Sequence, residues 1–145
     1  MSLFSLLSVS ASGMAAQRAR AELLVENLAN AETTRTPEGG PYRRKDVVFT
    51  SDPAEAPFAS VFSSLAGVGV EGVSVKEIVV DAREPERRYL PGHPDADAEG
   101  YVAFPRVNPA EDMVDLMGAS RGYHANVAAM GAIKDMIQRS IDLLR

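Results

Sequence analysis

Helix-breaking residues are confined to the middle of this chain, and that distribution limits what its two ends can become. Residues 3 to 31 contain no proline and one glycine, Gly13, while residues 110 to 145 contain no proline and only Gly118, Gly122 and Gly131. All nine prolines fall between residues 36 and 109. Proline inside a helix removes a backbone hydrogen bond and clashes with the preceding turn. Long helices are therefore expected at the ends and nowhere else.

Both ends carry a heptad. Alternate steps of four and three from Leu3 give Leu3, Leu7, Ser10, Met14, Gln17, Ala21, Leu24, Leu28 and Ala31, mostly apolar. At ~1.5 Å per residue such a helix is roughly 44 Å long. Ser8, Ser10, Ser12 and Gly13 weaken its first third. Steps of three and four from Met113 give Met113, Leu116, Ser120, Tyr123, Val127, Met130, Lys134, Ile137, Ile141 and Leu144, with Met117, Ile133 and Met136 widening the stripe. Asn108 is placed to cap this second helix, Pro109 fits its first position, and Glu111 completes a box-like pattern. Arg139 and Arg145 complement the dipole at its far end.

The middle reads as short strands and loops. Val47-Val48-Phe49 follows the basic, extended Tyr42 to Lys45, and Tyr101 to Phe104 forms a strand ended by Pro105. Residues 58–66 suit a short helix or a strand. Val68 and Val70 share one face, whereas Val73, Val75 and Val79 share the other if the strand is continuous. The parity changes at Gly72, so a bulge or tight bend is expected there. A small, twisted antiparallel sheet fits these segments.

The fold class is thus α+β, with two long terminal amphipathic helices, coiled-coil-like, flanking a small antiparallel β-rich insert. Residues 1–35 and 108–145 form the helical core, and 36–107 the insert. A heptad seam buries well only against another helix. The two ends can close as a hairpin over their own sheet, but ~29 and ~35 residues of seam exceed what so small an insert covers. The pattern therefore also fits lateral assembly with other helices.

Few other functions survive inspection. A net charge of -5, with scattered Lys and Arg, supplies no phosphate-tracking stripe, so nucleic acid is not an expected partner. The absence of cysteine excludes disulfides and thiolate metal sites. No basic residue precedes Arg18, so the N-terminus does not read as a cleaved signal peptide, and no apolar run approaches the ~20 residues of a membrane span. Gly67-Val-Gly69-Val-Glu71-Gly72 matches the dinucleotide-binding pattern by letter. A strand pattern follows it where the pyrophosphate would need a helix. Asp95-Ala-Asp97-Ala-Glu99-Gly100 imitates half a calcium loop, but the twelfth position falls on Arg106, and Pro94 and Pro105 preclude the flanking helices. A solvated acidic turn is the expected reading. His93 and His124 lie in different parts of the chain with no nucleophile beside them. Neither a catalytic site nor a cofactor is expected.

Asn27, Asn30 and Asn126 are harder to dismiss. Asparagine disfavours helix interiors, so each needs a reason. One reading is exposed polar positions with Asn30 ending its helix; the other is amides that bond across helices and fix register.

The same residues carry a family resemblance. Asn27-Leu28-Ala29-Asn30-Ala31, closing the first helix and followed by Thr33-Thr34, resembles the signature of flagellar rod and hook axial proteins. Ser120 to Val127 is similar to that family's C-terminal motif. Pro91 to Ala96, Glu99 to Val102, Val107-Asn108, Gly40 to Arg44 and Met136 to Arg139 resemble its proximal-rod members in particular. Arg106 stands where asparagine is common in the family, and Gly122 and His124 vary within the C-terminal motif.

The resemblance implies a structural subunit of the basal-body rod in the periplasmic space, exported by the flagellar type III apparatus without a cleaved signal. It implies self-association and contact with the rod proteins FlgB and FlgF and with FliE, and no membrane insertion. Leu24, Leu28, Tyr123, Val127, Met130, Ile137 and Ile141 are then expected to supply apolar packing between subunits. Asn27, Asn30 and Asn126 are expected to set register, and the loop at Gly92, His93, Pro94 and Asp95 to make subunit-specific contacts. The C-terminal helix should anchor the subunit, and the softer N-terminal helix should order fully only on assembly. A coiled-coil needle or effector protein secreted by a type III system would share the seams without needing the Asn-Leu-Ala-Asn or Gly-His-Pro-Asp motifs.

Overall fold

The computed structural model describes residues 3–53 and 71–143. Residues 58–66, Val68, Val70, the glycines at 67 and 69, Leu144 and Arg145, about which the sequence raised expectations, lie outside them. In chain order the elements are α1 (Leu3–Ala29), β1 (Lys45–Pro53), β2 (Glu71–Val80), β3 (Glu86–Tyr89), β4 (Tyr101–Phe104) and α2 (Pro109–Asp142).

The helix ends follow from local chemistry. Asn108, in an extended conformation, accepts a hydrogen bond from the Ala110 N–H at 3.2 Å, with Pro109 behind it. Such a cap satisfies a donor that the first turn would otherwise orphan. At the end of α1, the Asn30 side chain donates to the Glu26 carbonyl at 2.9 Å and accepts from the Thr33 hydroxyl at 3.2 Å. Asn30 thus ends the helix by bonding back onto it.

The two helices run antiparallel, with Gly13 beside Asn126, Gln17 beside Gly122 and Arg20 beside Asp115. On the other side of α1 lies the β1–β2 hairpin. Its open end is tied to Asn27 through Lys45, and Val73 near its tip donates its N–H to the Ser12 hydroxyl at 3.1 Å. α1 is therefore the middle layer, covered by α2 on one side and by the hairpin on the other.

The β insert departs from the expected single sheet. Among the described residues β1 pairs only with β2, and β3 only with β4, giving two separate antiparallel ribbons. The expected bulge is also displaced. Gly72 pairs regularly with Asp52, and the register shifts between Val48 and Phe49, which pair with Glu77 and Val75, so Lys76 is the extra residue. An inserted residue reverses side-chain parity beyond it. Val73 and Val75 therefore share their face with Ile78 and Val80, and Val79 turns to the opposite face.

β3 and β4 form a short ribbon whose inward residues, Val102 and Phe104, are buried. The Arg88 guanidinium stacks 4.9 Å from the centre of the Phe104 ring, and Tyr89 meets Tyr101 edge to face. Gly100, at φ +85, turns the chain into β4; a side chain there would press within 2.9 Å of the Tyr89 ring. Among the described residues no helix is long and apolar enough to cross a membrane.

Candidate assembly interface

The polar side chains of the helices do most of their bonding within the subunit. Asn27 is fully buried. Its amide nitrogen donates to the Lys45 carbonyl at 2.8 Å, and its oxygen accepts from the Lys45 N–H and the Tyr42 hydroxyl, each at 2.9 Å. It grips both backbone groups of the first β1 residue, as a neighbouring strand would. Lys45 then reaches back to Glu26 at 2.6 Å. Burial, reinforced by the nearby Glu26 carboxylate, pushes the Tyr42 hydroxyl up to about 12 and keeps it a donor.

Asp112 of α2 sits beside this clamp and is 1% exposed. Arg44 places its Nε and Nη2 on Asp112 Oδ1, at 3.3 and 2.9 Å, and pairs with Asp46 as well. Burial works against the Arg44 charge, but the Asp112 hydrogen bond and the two carboxylates outweigh it and raise its pKa. Oδ2 of Asp112 is buried without a partner among the described residues. Losing Arg44 would leave the Asp112 carboxylate buried without its charge partner, whereas Arg44 would keep Asp46.

The soft third of α1 proves to be contact surface. Ser10 is buried, Ser12 bonds both the Val9 carbonyl and β2, and Gly13 makes room for the Asn126 side chain. A Cβ on Gly13 would lie 3.0 Å from Asn126 Oδ1, and one on Gly122 would lie 3.1 Å from the Gln17 side chain. The two helices thus interlock reciprocally, a glycine on each receiving an amide from the other. Asn126 donates to the Gly122 carbonyl of its own helix at 2.9 Å. The helix-to-helix amide bonds expected from sequence are accordingly replaced by a strand clamp at Asn27 and by bonds within the same helix at Asn30 and Asn126.

Two residues expected at the subunit surface belong to its interior. Leu24 and Asn27 are buried within the subunit, Leu24 at the floor of a recess beside β1 and Asn27 against Lys45 and Tyr42. The C-terminal seam divides. Leu116, Met130 and Ile137 are half-buried beside the buried Asp112, Ala119 and Ile133, whereas Met113, Val127 and Ile141 are exposed and Tyr123 stands at the edge. Where the helices approach most closely, at Gly13 and Gly122, there is no side chain to separate them. The exposed residues form a second heptad one position on: Met113, Met117, Ser120, His124, Val127 and Gly131.

The loop of Gly92, His93, Pro94 and Asp95 folds down onto the α1–β1 connection. Asp95 accepts from Thr34 at 2.8 Å and pairs with Arg35 at 2.5 Å, and the His93 ring lies edge-on to Phe104. Asp97 accepts from the N–H groups of Glu99 and Tyr101, as an acidic turn should. At the base of the β3–β4 ribbon, side-chain and backbone hydrogen bonds from Arg83 hold Asp81 down at about 2. Sequence reasoning missed Asp112, Arg44, Tyr42 and Ser12, whose partners lie 15 to 68 residues away.

A long helix pair with an outward heptad, clamped to a short β insert, is the arrangement of a packing subunit. The family described as the C-terminal region of flagellar basal-body rod FlgEFG proteins matches residues 98–143. Over its whole length the chain is 39% identical to the flagellar basal-body rod protein FlgC of Borreliella burgdorferi, covering 100% of this chain and 99% of that one. It is 42% identical to FlgC of Bacillus subtilis, with 99% of each covered, and 38% identical to FlgC of Salmonella typhimurium, with 99% and 98% covered. The chain belongs to the FlgC family of flagellar basal-body rod proteins. That membership removes the needle or effector alternative.

Proposed function

We propose that this chain is a structural subunit of the basal-body rod that assembles helically through its terminal helices and transmits torque. The observation that carries the reading is the row of apolar side chains left open on α2: Met113, Met117, Val127, Met136 and Ile141 are each about half-exposed. Among the described residues nothing covers them, and so long an apolar face calls for a packing partner.

The helix pair acts as the core of the rod wall, with residues 36–107 as its insert. Leu28, Tyr123, Val127, Met130, Ile137 and Ile141 supply apolar packing between subunits, each fully buried side chain contributing about 1.5–3 kcal/mol. The Gly92–Asp95 loop adds contacts specific to the neighbour. The neighbours are further copies and the rod proteins FlgB, FlgF and FliE. The chain reaches the periplasm through the flagellar export apparatus.

Val127→Asp is the test, because it places a charge on the outward face without touching the core. The variant should be exported and should melt as the parent does, yet form no rod and support no swimming. Normal swimming would overturn the reading.

A further inference from the structure

We infer that the outward heptad of α2 docks into the open seam between α1 and the β1–β2 hairpin of the next copy, an inference that rests on the rod assignment. The starting point is symmetry. When a surface patch pairs with the same patch on a second copy, the contact closes on itself as a dimer; an open helical array needs two different patches that fit each other. The projecting patch is the face bearing Met113, Met117 and Val127, all about half-exposed. A receiving patch must be apolar, concave and elsewhere on the subunit.

The hairpin side of α1 provides one. Two cavities of about 240 and 230 Å³ open between α1 and the hairpin, and Leu23 and Val47 line both. The first is lined by Leu24 and Phe49 together with the charged Arg20, Lys45, Asp46 and Asp115, the second by Val75 and Ile78. Val73, Val75 and Ile78 are turned towards α1 by the register of β2, yet each is more than a third exposed. Between its two pins the hairpin thus leaves open recesses along the helix.

Geometry and charge both suit this occupant. Asp115 lines the first cavity. It lies two residues from both Met113 and Met117, which places it roughly 160° around the helix from each. Projection and recess therefore sit on nearly opposite sides of the helix pair. From Met113 to Val127 the outward face spans about 21 Å, and the stretch of α1 between the Ser12 and Asn27 pins spans about 22 Å. Residues 122 to 133 of α2 carry no Asp, Glu, Lys or Arg, so this stretch brings no formal charge into the recess. The glutamates at the second cavity, Glu22 and Glu26, are already neutralised by Arg18 and Lys45. Methionine suits such a contact because its flexible thioether adapts to irregular recesses.

The absence of cysteine makes the test clean. Met117→Cys and Ile78→Cys, combined in one chain that replaces the native copy, should give a ladder of dimers and higher multimers when swimming cells are treated with a short bis-maleimide. Each single variant should stay monomeric. No cross-link in cells that swim, or a dimer from Met117→Cys alone, overturns the docking mode and leaves the rod assignment standing. If deletion of the gene leaves swimming intact, the rod assignment itself falls. Val127→Cys with Val75→Cys is the second pair. Where a pair does not support swimming, the cross-link is read on purified subunits concentrated until they polymerise, and its absence there counts equally against the docking.

Discussion

The two terminal helices look alike in sequence and are used differently. α1 is covered on two sides and, among the described residues, leaves one large apolar side chain half-exposed, Val25. α2 is covered on one side and leaves Met113, Val114, Met117, Tyr123, Val127, Met136 and Ile141 open to solvent, with Leu143 beyond its end 87% exposed. Within the subunit the helix with the weaker composition is the spine, and the better-capped one is the outer layer. Amphipathic strength says how much surface a helix must bury; it does not say whether the cover comes from its own chain.

Substitutions should separate the two roles. The largest effect is expected from Asn27→Ala, which leaves both Lys45 backbone groups and the Tyr42 hydroxyl unpaired; roughly 3 kcal/mol or more should be lost in urea unfolding of the isolated subunit. Asp112→Ala strands the Arg44 guanidinium and should cost about 2–3 kcal/mol, below the usual 3–5 for a buried pair because Arg44 retains Asp46 and some solvent. Gly13→Val drives a side chain into Asn126 and should cost about 2 kcal/mol, with part of the loss recovered when Asn126→Ala is added. Equal losses with and without Asn126→Ala would show that these two residues do not interlock.

Alkaline pH probes the same clamp. The Tyr42 pKa is raised from 10.0 in the unfolded chain to about 12 in the folded one. Its contribution is therefore complete below pH 10 and lost as pH rises towards 12. The stability difference between the parent and Tyr42→Phe should shrink across that window by about 1–2 kcal/mol. The smallest effect belongs to the outer layer. Val127→Ser should change subunit stability by no more than about 0.5 kcal/mol, as an exposed site should, while still impairing swimming. A large loss of stability there would erase the contrast between the helices.

Much of this was readable beforehand, for identifiable reasons. Proline placement and heptad spacing gave both helices to within a few residues, and local signals gave the Asn108 cap and the Asp97 turn. β3 was not readable, because Glu86-Arg87-Arg88-Tyr89 has no alternation and owes its form to pairing with β4. The bulge was sought at Gly72, the residue most able to adopt one, but it falls at Lys76, where the pairing of two strands decides. Two heptads one residue apart both fit the α2 sequence, and contact with α1 decides between them, turning Leu116, Ala119, Ile133 and Ile137 inward. Asp112 carries no signal in the sequence, because its burial depends on Arg44, 68 residues distant.

The two pins of the hairpin have a mechanical consequence. A ribbon held at one end peels away under load, its bonds failing in succession. Here Ser12 holds one end and Asn27 the other, about 22 Å apart along a single rigid helix. A twisting force on the hairpin meets both attachments at once and is divided between them as shear. Under such a force the hairpin and the helix it lies on should turn together.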